Sequence, residues 1–521
     1  MKERISAAFA AKYPTLKPYQ IEKSVSTHIS VMLHAIADSI RRFGFKNDQI
    51  SLSLDAIAKL SGRIKIDGKN FKVSVLLNGD RDTSLVNVDF PGQVGQVARV
   101  SLNPVYQLDI EYSLMELHTS TSSAAIYEKS SNIKMPIDPL MLDSFIENTK
   151  GKHDKAVQEN LPNKEKYRRT LLRNFLNAKH IRASLIEEDG EYLFPEYWEQ
   201  SDSGRCYGHG TSLQRVSKEV RHAALGRCHM YDVKAASYAL LTGLALAIDP
   251  ALDVGVLVNY VSRRSKIRKD IAADVGITEE HMKTIFTSLG FGAKIANNPF
   301  ASIRKTLGEA AYNRLMMNDQ FVKIGDAMCK VREAIAGYFP DSFEFFGRHY
   351  DSVCPRTGKA RTKDQKLAWI YQAMEAEAIS RFGDDAVEAG YQPLLFVHDC
   401  VYFKHKLPEA VLSKITNDLR QTFALLETDH ETIYPIHNDY FVDAVYAQES
   451  KRIKEHEALM RQMSGHTAPE ATPKPEISLW HDEFAGWMAM SDLPDLSKLA
   501  VGQSQRNCID LGRSWSIAIH Q

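Results

Sequence analysis

The chain has 521 residues, with 65 Lys and Arg balanced by 65 Asp and Glu, and 44% hydrophobic and 25% charged residues. That is the profile of an ordinary globular protein long enough for two or three structural units, and it excludes extensive disorder. Zero net charge excludes a uniformly basic coat, so any surface that grips polyanions must be offset by acidic surface elsewhere.

In chain order, residues 1–118 predict an N-terminal mixed α/β module. Helical periodicity runs to about residue 45. Short runs such as FKVSVLLNGD and YQLDIEYSLMEL then alternate apolar and polar residues over 50–112, as strands do. Residues 119–166 form a polar connecting segment that includes a helix, and a mostly helical body follows over 167–450. EDGEYLFPEY interrupts that body, as does FEFFGRHYDSVCPRTGKART, where Pro355 and Gly358 are expected at a hairpin tip. Residues 451–521 hold most of a charged helix, a linker (SGHTAPEATPKPE) and a C-terminal piece with Trp480 and Trp487.

No run reaches the roughly 18 apolar residues of a membrane helix, and MKERISAAFAAKYPTLKPYQ lacks the apolar core of a signal peptide. The six cysteines, at 206, 228, 329, 354, 400 and 508, form neither a CxxC pair nor a zinc-ligand spacing. An intracellular, reducing location is therefore expected.

Three places carry chemistry in combination. Asp232 ends the approach GRCHMYDVK before a small-residue helix, and Asp399 sits between the apolar runs LLFV and CVYF, as a strand–turn–strand would place it. HMKTIFTSLGFGAK puts Lys283 and Phe291 eight residues apart, on roughly one side of a short helix and its end. Singly, these are a turn residue, a surface charge and a glycine-capped helix end. Together they fit phosphoryl transfer: two carboxylates from distant segments can hold two divalent ions about 3.5–4 Å apart, a lysine neutralises triphosphate charge, and an aromatic lies against base or sugar.

The ordered set Asp232, KTIFTSLGFG and His398-Asp399 resembles the A, B and C motifs of single-subunit (phage-type and mitochondrial-type) RNA polymerases, in the superfamily that includes family A DNA polymerases. Lys283, seven residues, Phe291 and Gly292 match a B motif that ends in Tyr-Gly. Upstream, FPEYWEQSDSGRCYGHGTSLQ resembles the segment holding Gly-Arg-x-Tyr in the RNA polymerases, matched by Gly204, Arg205 and Tyr207, and Leu-Gln in the DNA polymerases, matched by Leu213 and Gln214. The resemblance covers about residues 170–445. It implies an α+β right-hand polymerase, with an antiparallel palm sheet, mostly helical fingers and thumb, and two Mg2+ ions on Asp232, Asp399 and the backbone carbonyl of Val233. Lys283, Thr287, Phe291, Gly292 and Ser237 would bind the nucleotide, and Arg205, Tyr207, Gln372 and His398 the template or hybrid. The implied activity is DNA-directed RNA synthesis (transcription) from rNTPs. A DNA template, an RNA product and an accessory protein for template engagement would be the partners, in a bacterial or phage-infected cell, with an organelle left open. A DNA polymerase or primase of the superfamily and a non-catalytic nucleic-acid-binding relative are the alternatives.

This chain departs from that family in three places. Phe291 lacks the hydroxyl with which the RNA polymerases recognise ribose, while Ser237 stands where DNA polymerases place a bulky Glu. Glu279 stands where the family has a triphosphate-binding arginine, so RRSKIRK (263–269) is the expected substitute. The 106 residues between Phe291 and His398 leave room for one extended hairpin, EFFGRHYDSVCPRTGKARTK, as a template-contacting loop.

Overall fold

The computed structural model describes residues 1–80, 82–92, 97–117, 131–159, 164–293, 295, 301–354 and 358–433. The expected charged helix, linker and tryptophan-bearing segment lie outside these residues, as do Pro355 and Lys294. The architecture is α+β, mostly helical with small antiparallel sheets.

The N-terminal unit contains α1 (Lys2–Lys12), α2 (Pro18–Phe43), β1 (Gln49–Leu52), α3 (Leu54–Leu60), β2 (Arg63–Ile66), β3 (Lys69–Lys72), α4 (Val73–Asn78), β4 (Val86–Phe90), β5 (Ala98–Leu102) and α5 (Gln107–Glu116). Pro18 opens α2, where its missing N–H costs nothing. Ile21, Val25, Ile29, Met32, Leu33, Ile36 and Ile40 then form one buried stripe at three- and four-residue spacing. The sheet orders as β1–β5–β4, and β2 pairs only with β3. Two runs read as strands prove helical: VSVLLN is α4, and α5 occupies most of YQLDIEYSLMEL. The alternation in the second run also satisfies helical spacing, and Ile110, Glu111, Leu114 and Met115 are its buried positions.

The middle of the chain supplies β6 (Ser131–Pro136), α6 (Pro139–Gln158), α7 (Lys164–Ala183), β7 (Ile186–Glu188), β8 (Glu191–Gln200), β9 (Cys206–Gly208) and α8 (Lys218–Leu225). β8 pairs with β6, β7 and β9. Of the connecting segment expected over 119–166, the described residues are built into the body: β6 joins β8, and α7 runs through the expected boundary at 166. The middle of α7 buries Leu172, Phe175 and Leu176 in the N-terminal core, and its C-terminal part buries Ala178 and Ile181 in a second core. A buried carboxylate, Glu111 on α5, accepts from His153 Nε2 of α6 at 2.8 Å and from Arg168 Nε and Nη2 of α7 at 3.0 and 2.9 Å.

Next come β10 (Cys228–Val233), α9 (Ala236–Ile248), α10 (Gly255–Val275), α11 (Glu279–Gly290), α12 (Ser302–Met317), α13 (Asp319–Tyr338), β11 (Ser342–Phe345), β12 (Arg348–Asp351), α14 (Lys363–Glu388), β13 (Pro393–Val397), β14 (Cys400–Phe403), α15 (Glu409–Thr422) and β15 (Thr428–Ile433). Four of these strands form an antiparallel sheet in the order β13–β14–β10–β15. Tyr231, Val233, Val401 and Phe403 face a helical core, and Cys228, Leu395, Val397, Cys400, Tyr402 and Ile433 face the core under α6 and α8. Cover on both faces explains why CVYF reads as a continuous apolar run rather than an alternating one.

The hairpin β11–β12 turns at Phe346-Gly347, where φ is 52° and 69°; the chain reverses a second time about the tip expected at Pro355 and Gly358, where Val353 bridges Ala360 antiparallel and the Cys354 N–H donates to the Lys359 carbonyl at 2.9 Å. A two-residue turn that matches strand twist needs positive φ at both positions, which Gly347 supplies without strain.

Candidate active site

Asp232 is the fifth residue of β10, and Asp399 closes the two-residue turn from β13 to β14. The register sets Asp232 opposite Cys400, and the Val233 N–H donates to the Asp399 carbonyl at 2.9 Å. Sheet pairing alone therefore brings together two aspartates 167 residues apart in sequence. His398 makes the turn possible with φ of 51°. It keeps an exposed face, yet protein surrounds it closely enough to hold its pKa down, with Arg205 and Arg221 adding to the effect.

Asp232 and Asp399 are half-buried. Loss of water raises the pKa of Asp399, the charges of Glu375 and Asp232 raise it further, and Arg205 opposes them. Burial likewise raises Asp232, with Asp429 adding and Arg264 and Lys283 pulling it back. Under-compensated negative charge of this kind suits a divalent cation, so the donor set fits Mg2+ as far as two carboxylates can. Among the described residues, no group of three or more His, Cys, Asp or Glu converges as a metal site.

The third carboxylate, Glu375 on α14, was not singled out from the sequence. It is 1% exposed and pairs with Arg205. Arg205 is itself buried and lies over the ring of Tyr371, with 6.0 Å from its Cζ to the ring centroid. Within this fold the Arg205 guanidinium, expected on the template, pairs with a buried carboxylate beside the aspartates. Gln372 is buried too, and its Oε1 accepts from Ser203 Oγ at 3.1 Å, which ties α14 to the loop before β9. Tyr207, on β9, lies beside His398, with the two ring centroids 6.4 Å apart. Gln214 pins β9 by accepting from the Gly208 N–H and donating to the Cys206 carbonyl, both at 2.9 Å.

α11 carries the nucleotide-binding candidates as one stripe. Lys283 is exposed, and Thr287 and Phe291 are half-buried one and two turns further on. Thr278 caps the helix by accepting from the His281 N–H at 3.2 Å. Ser237 lies directly beneath: a Cβ on Gly290 would come within 2.6 Å of Ser237 Oγ and 3.0 Å of Tyr238 Cε2. The small residues around Phe291 thus let α11 settle onto α9, which is locked further by the Tyr238 hydroxyl donating to the Phe286 carbonyl at 2.7 Å. Gly292 has φ of +99°, and the guanidinium of Arg332 occupies the place of its missing side chain. The Phe291 ring meets Tyr371 edge-on, with centroids 5.2 Å apart and planes at 80°.

Of the RRSKIRK cations, one faces the aspartates. Arg264 Nη2 contacts Asp429 Oδ2 at 2.9 Å, and Asp429 lies opposite Asp232 across β10 and β15. The helix breaks its regular dihedrals at Arg263 (φ −123°, ψ 24°), next to Arg264. Lys266 pairs outward with Asp270 at 2.6 Å, and Arg268 donates to the Tyr260 hydroxyl at 2.7 Å. Lys234 joins Arg264 on Asp429 at 3.1 Å. Glu279 is exposed in the first turn of α11, where the helix dipole favours a carboxylate.

The hairpin β11–β12, expected to be a template-contacting loop, is held against the loop before β9. Arg348 packs over Gly204 (φ +86°), which could not carry a Cβ there, and bonds Glu377 at 3.2 Å. Arg361 pairs with Asp202 and lies 5.2 Å over the Tyr350 ring. No protein-family model matches this chain, and no curated protein matches it.

Proposed function

We propose that the chain is a template-directed nucleotidyltransferase, a compact right-hand polymerase of the single-subunit type that makes RNA on a DNA template. The observation that carries this reading is the arrival of Asp232 and Asp399 at one end of adjacent antiparallel strands, with Lys283 and Arg264 both acting on Asp232. In this reading the four-stranded sheet is the palm and α9–α13 are the fingers. Bound Mg2+ would activate the attacking 3'-hydroxyl and steady the pyrophosphate. The chain's own residues would do the rest: Asp232 and Asp399 would hold the ions, the Lys283–Thr287–Phe291 stripe would lie along the incoming nucleotide, and Arg264 and Lys234 supply positive charge on the side where Glu279 supplies none.

The test is incorporation by purified protein with Mg2+ on primed and unprimed single-stranded DNA, with rNTPs or dNTPs, beside Asp232→Ala. Extension with rNTPs that disappears in the variant supports the proposal. Extension with dNTPs alone moves it to the DNA polymerases, and template binding without product in any lane favours a non-catalytic relative.

Two substitutions probe the pocket. Arg264→Ala should raise KM for the nucleoside triphosphate roughly tenfold, the value of one charge-assisted hydrogen bond, with a smaller effect on template affinity; an unchanged KM would remove Arg264 from the pocket. Phe291→Tyr should raise the preference for rNTP over dNTP by about tenfold, because a hydroxyl that bonds ribose discriminates where space alone does not. Equal competition ratios in the two proteins would refute that role.

A further inference from the structure

We infer that the β2–β3 hairpin of the N-terminal unit is a docking surface for the DNA phosphate backbone. In this neutral chain, KLSGRIKIDGKNFK (residues 59–72) holds five cations, Lys59, Arg63, Lys65, Lys69 and Lys72, against one acid, Asp67. All five cations are exposed, and among the described residues none makes an ion pair. Elsewhere on the surface basic side chains commonly find carboxylates, as Lys12 does with Asp80 at 2.8 Å and Lys134 with Glu188 at 2.6 Å.

Register turns this run into a surface. Arg63 is opposite Lys72, Lys65 opposite Asn70, Ile64 opposite Phe71 and Ile66 opposite Lys69. Cross-strand partners share a face, so Arg63, Lys65, Asn70 and Lys72 stand together on one side. Ile64 and Ile66 point the other way and are buried in the N-terminal core. Asp67 and Gly68, with φ of 47° and 80°, close the tight turn that fixes this register. The result is an anchored platform of three cations and an amide, with successive same-side positions roughly 7 Å apart along a strand, a spacing that suits a line of phosphates. Exposed apolar side chains adjoin it in sequence, Leu60 at 68%, Phe71 at 38% and Val75 at 64%, where bases could rest. With no carboxylate partner among the described residues, these cations would release counterions when a polyanion binds. The choice of DNA over other polyanions rests on the proposed function; the charge arrangement does not.

The experiment is fluorescence anisotropy of the full chain with labelled single-stranded DNA, duplex DNA and single-stranded RNA, at salt from about 50 to about 200 mM. It compares wild type, Arg63→Ala/Lys65→Ala/Lys72→Ala, and a control lacking three exposed lysines elsewhere, Lys23, Lys155 and Lys414. The hairpin variant should bind DNA at least about tenfold more weakly, with its log–log salt slope shallower by about 2 to 3, and with unchanged thermal unfolding; the control should stay near wild type. Equal losses in both variants, or no loss in the hairpin variant, would overturn the proposal. So would a loss confined to RNA, or to vesicles of anionic lipid run alongside. Asp399→Asn, assayed in parallel, should keep hairpin-dependent DNA binding, so a failed polymerase reading and a failed docking surface give different results.

Discussion

Asp399→Asn is expected to lower templated nucleotide incorporation by at least about 10³-fold, some 4 kcal/mol of barrier, while leaving template affinity within a few-fold of wild type. Asparagine keeps the shape of the side chain and the backbone bond from the Val233 N–H to the residue 399 carbonyl, so the sheet register has no reason to change. What it removes is charge. Asp399 is raised by burial and by its neighbours Glu375 and Asp232, so its ionised form opposes folding in the absence of a cation. A group whose pKa is raised on folding destabilises progressively as pH climbs through its folded value and has no effect below its unfolded value. Thermal stability of metal-free Asp399→Asn should therefore exceed that of wild type near about pH 8, with the difference vanishing toward about pH 4. Loss of activity with gain of stability marks a charge kept for function. Retained incorporation would end the assignment of Asp399 to the metal, and equal melting at both pH values would end the account of its environment.

The parts of the site legible in the sequence were those set by local rules. A tight turn between two apolar runs placed Asp399 correctly, and three- and four-residue spacing placed Lys283, Thr287 and Phe291 on one side of α11. What was not legible depended on distant contacts. Nothing local distinguishes an arginine that binds nucleic acid from one that neutralises a buried glutamate, and Arg205 and Glu375 lie 170 residues apart. A faint signal for Glu375 did exist: Leu367, Ile370, Tyr371, Met374 and Ala378 trace the buried stripe of α14, and Glu375 falls on it, one turn after Tyr371. A carboxylate on an apolar stripe asks for a partner. The two misread strands show the other limit. Over six to ten residues, alternation and helical periodicity overlap, and the packing of α4 against α2 and α3, and of α5 against α2 and α7, decides between them.

Arg205→Ala is expected to cost about 3–5 kcal/mol of stability, because it strands Glu375 as an uncompensated buried charge. Both side chains are nearly inaccessible to solvent, at 6% and 2%, so screening by water offers little relief. Removing both partners in Arg205→Ala/Glu375→Ala should recover a substantial part of the loss, since the pair as a whole gives back much of its attraction in desolvation. Arg205→Lys should rescue poorly, because a lysine ammonium lacks the planar guanidinium that reaches Glu375 while lying over the Tyr371 ring. Denaturant unfolding of the three variants in the absence of nucleic acid is the measurement. It separates the two roles this arginine could have: a template ligand would lose DNA affinity on truncation and leave the unfolding midpoint alone. A structural counter-ion would lose stability first, and any loss of incorporation would then follow from the disturbed surroundings of Asp399, whose charge Arg205 helps to hold in place.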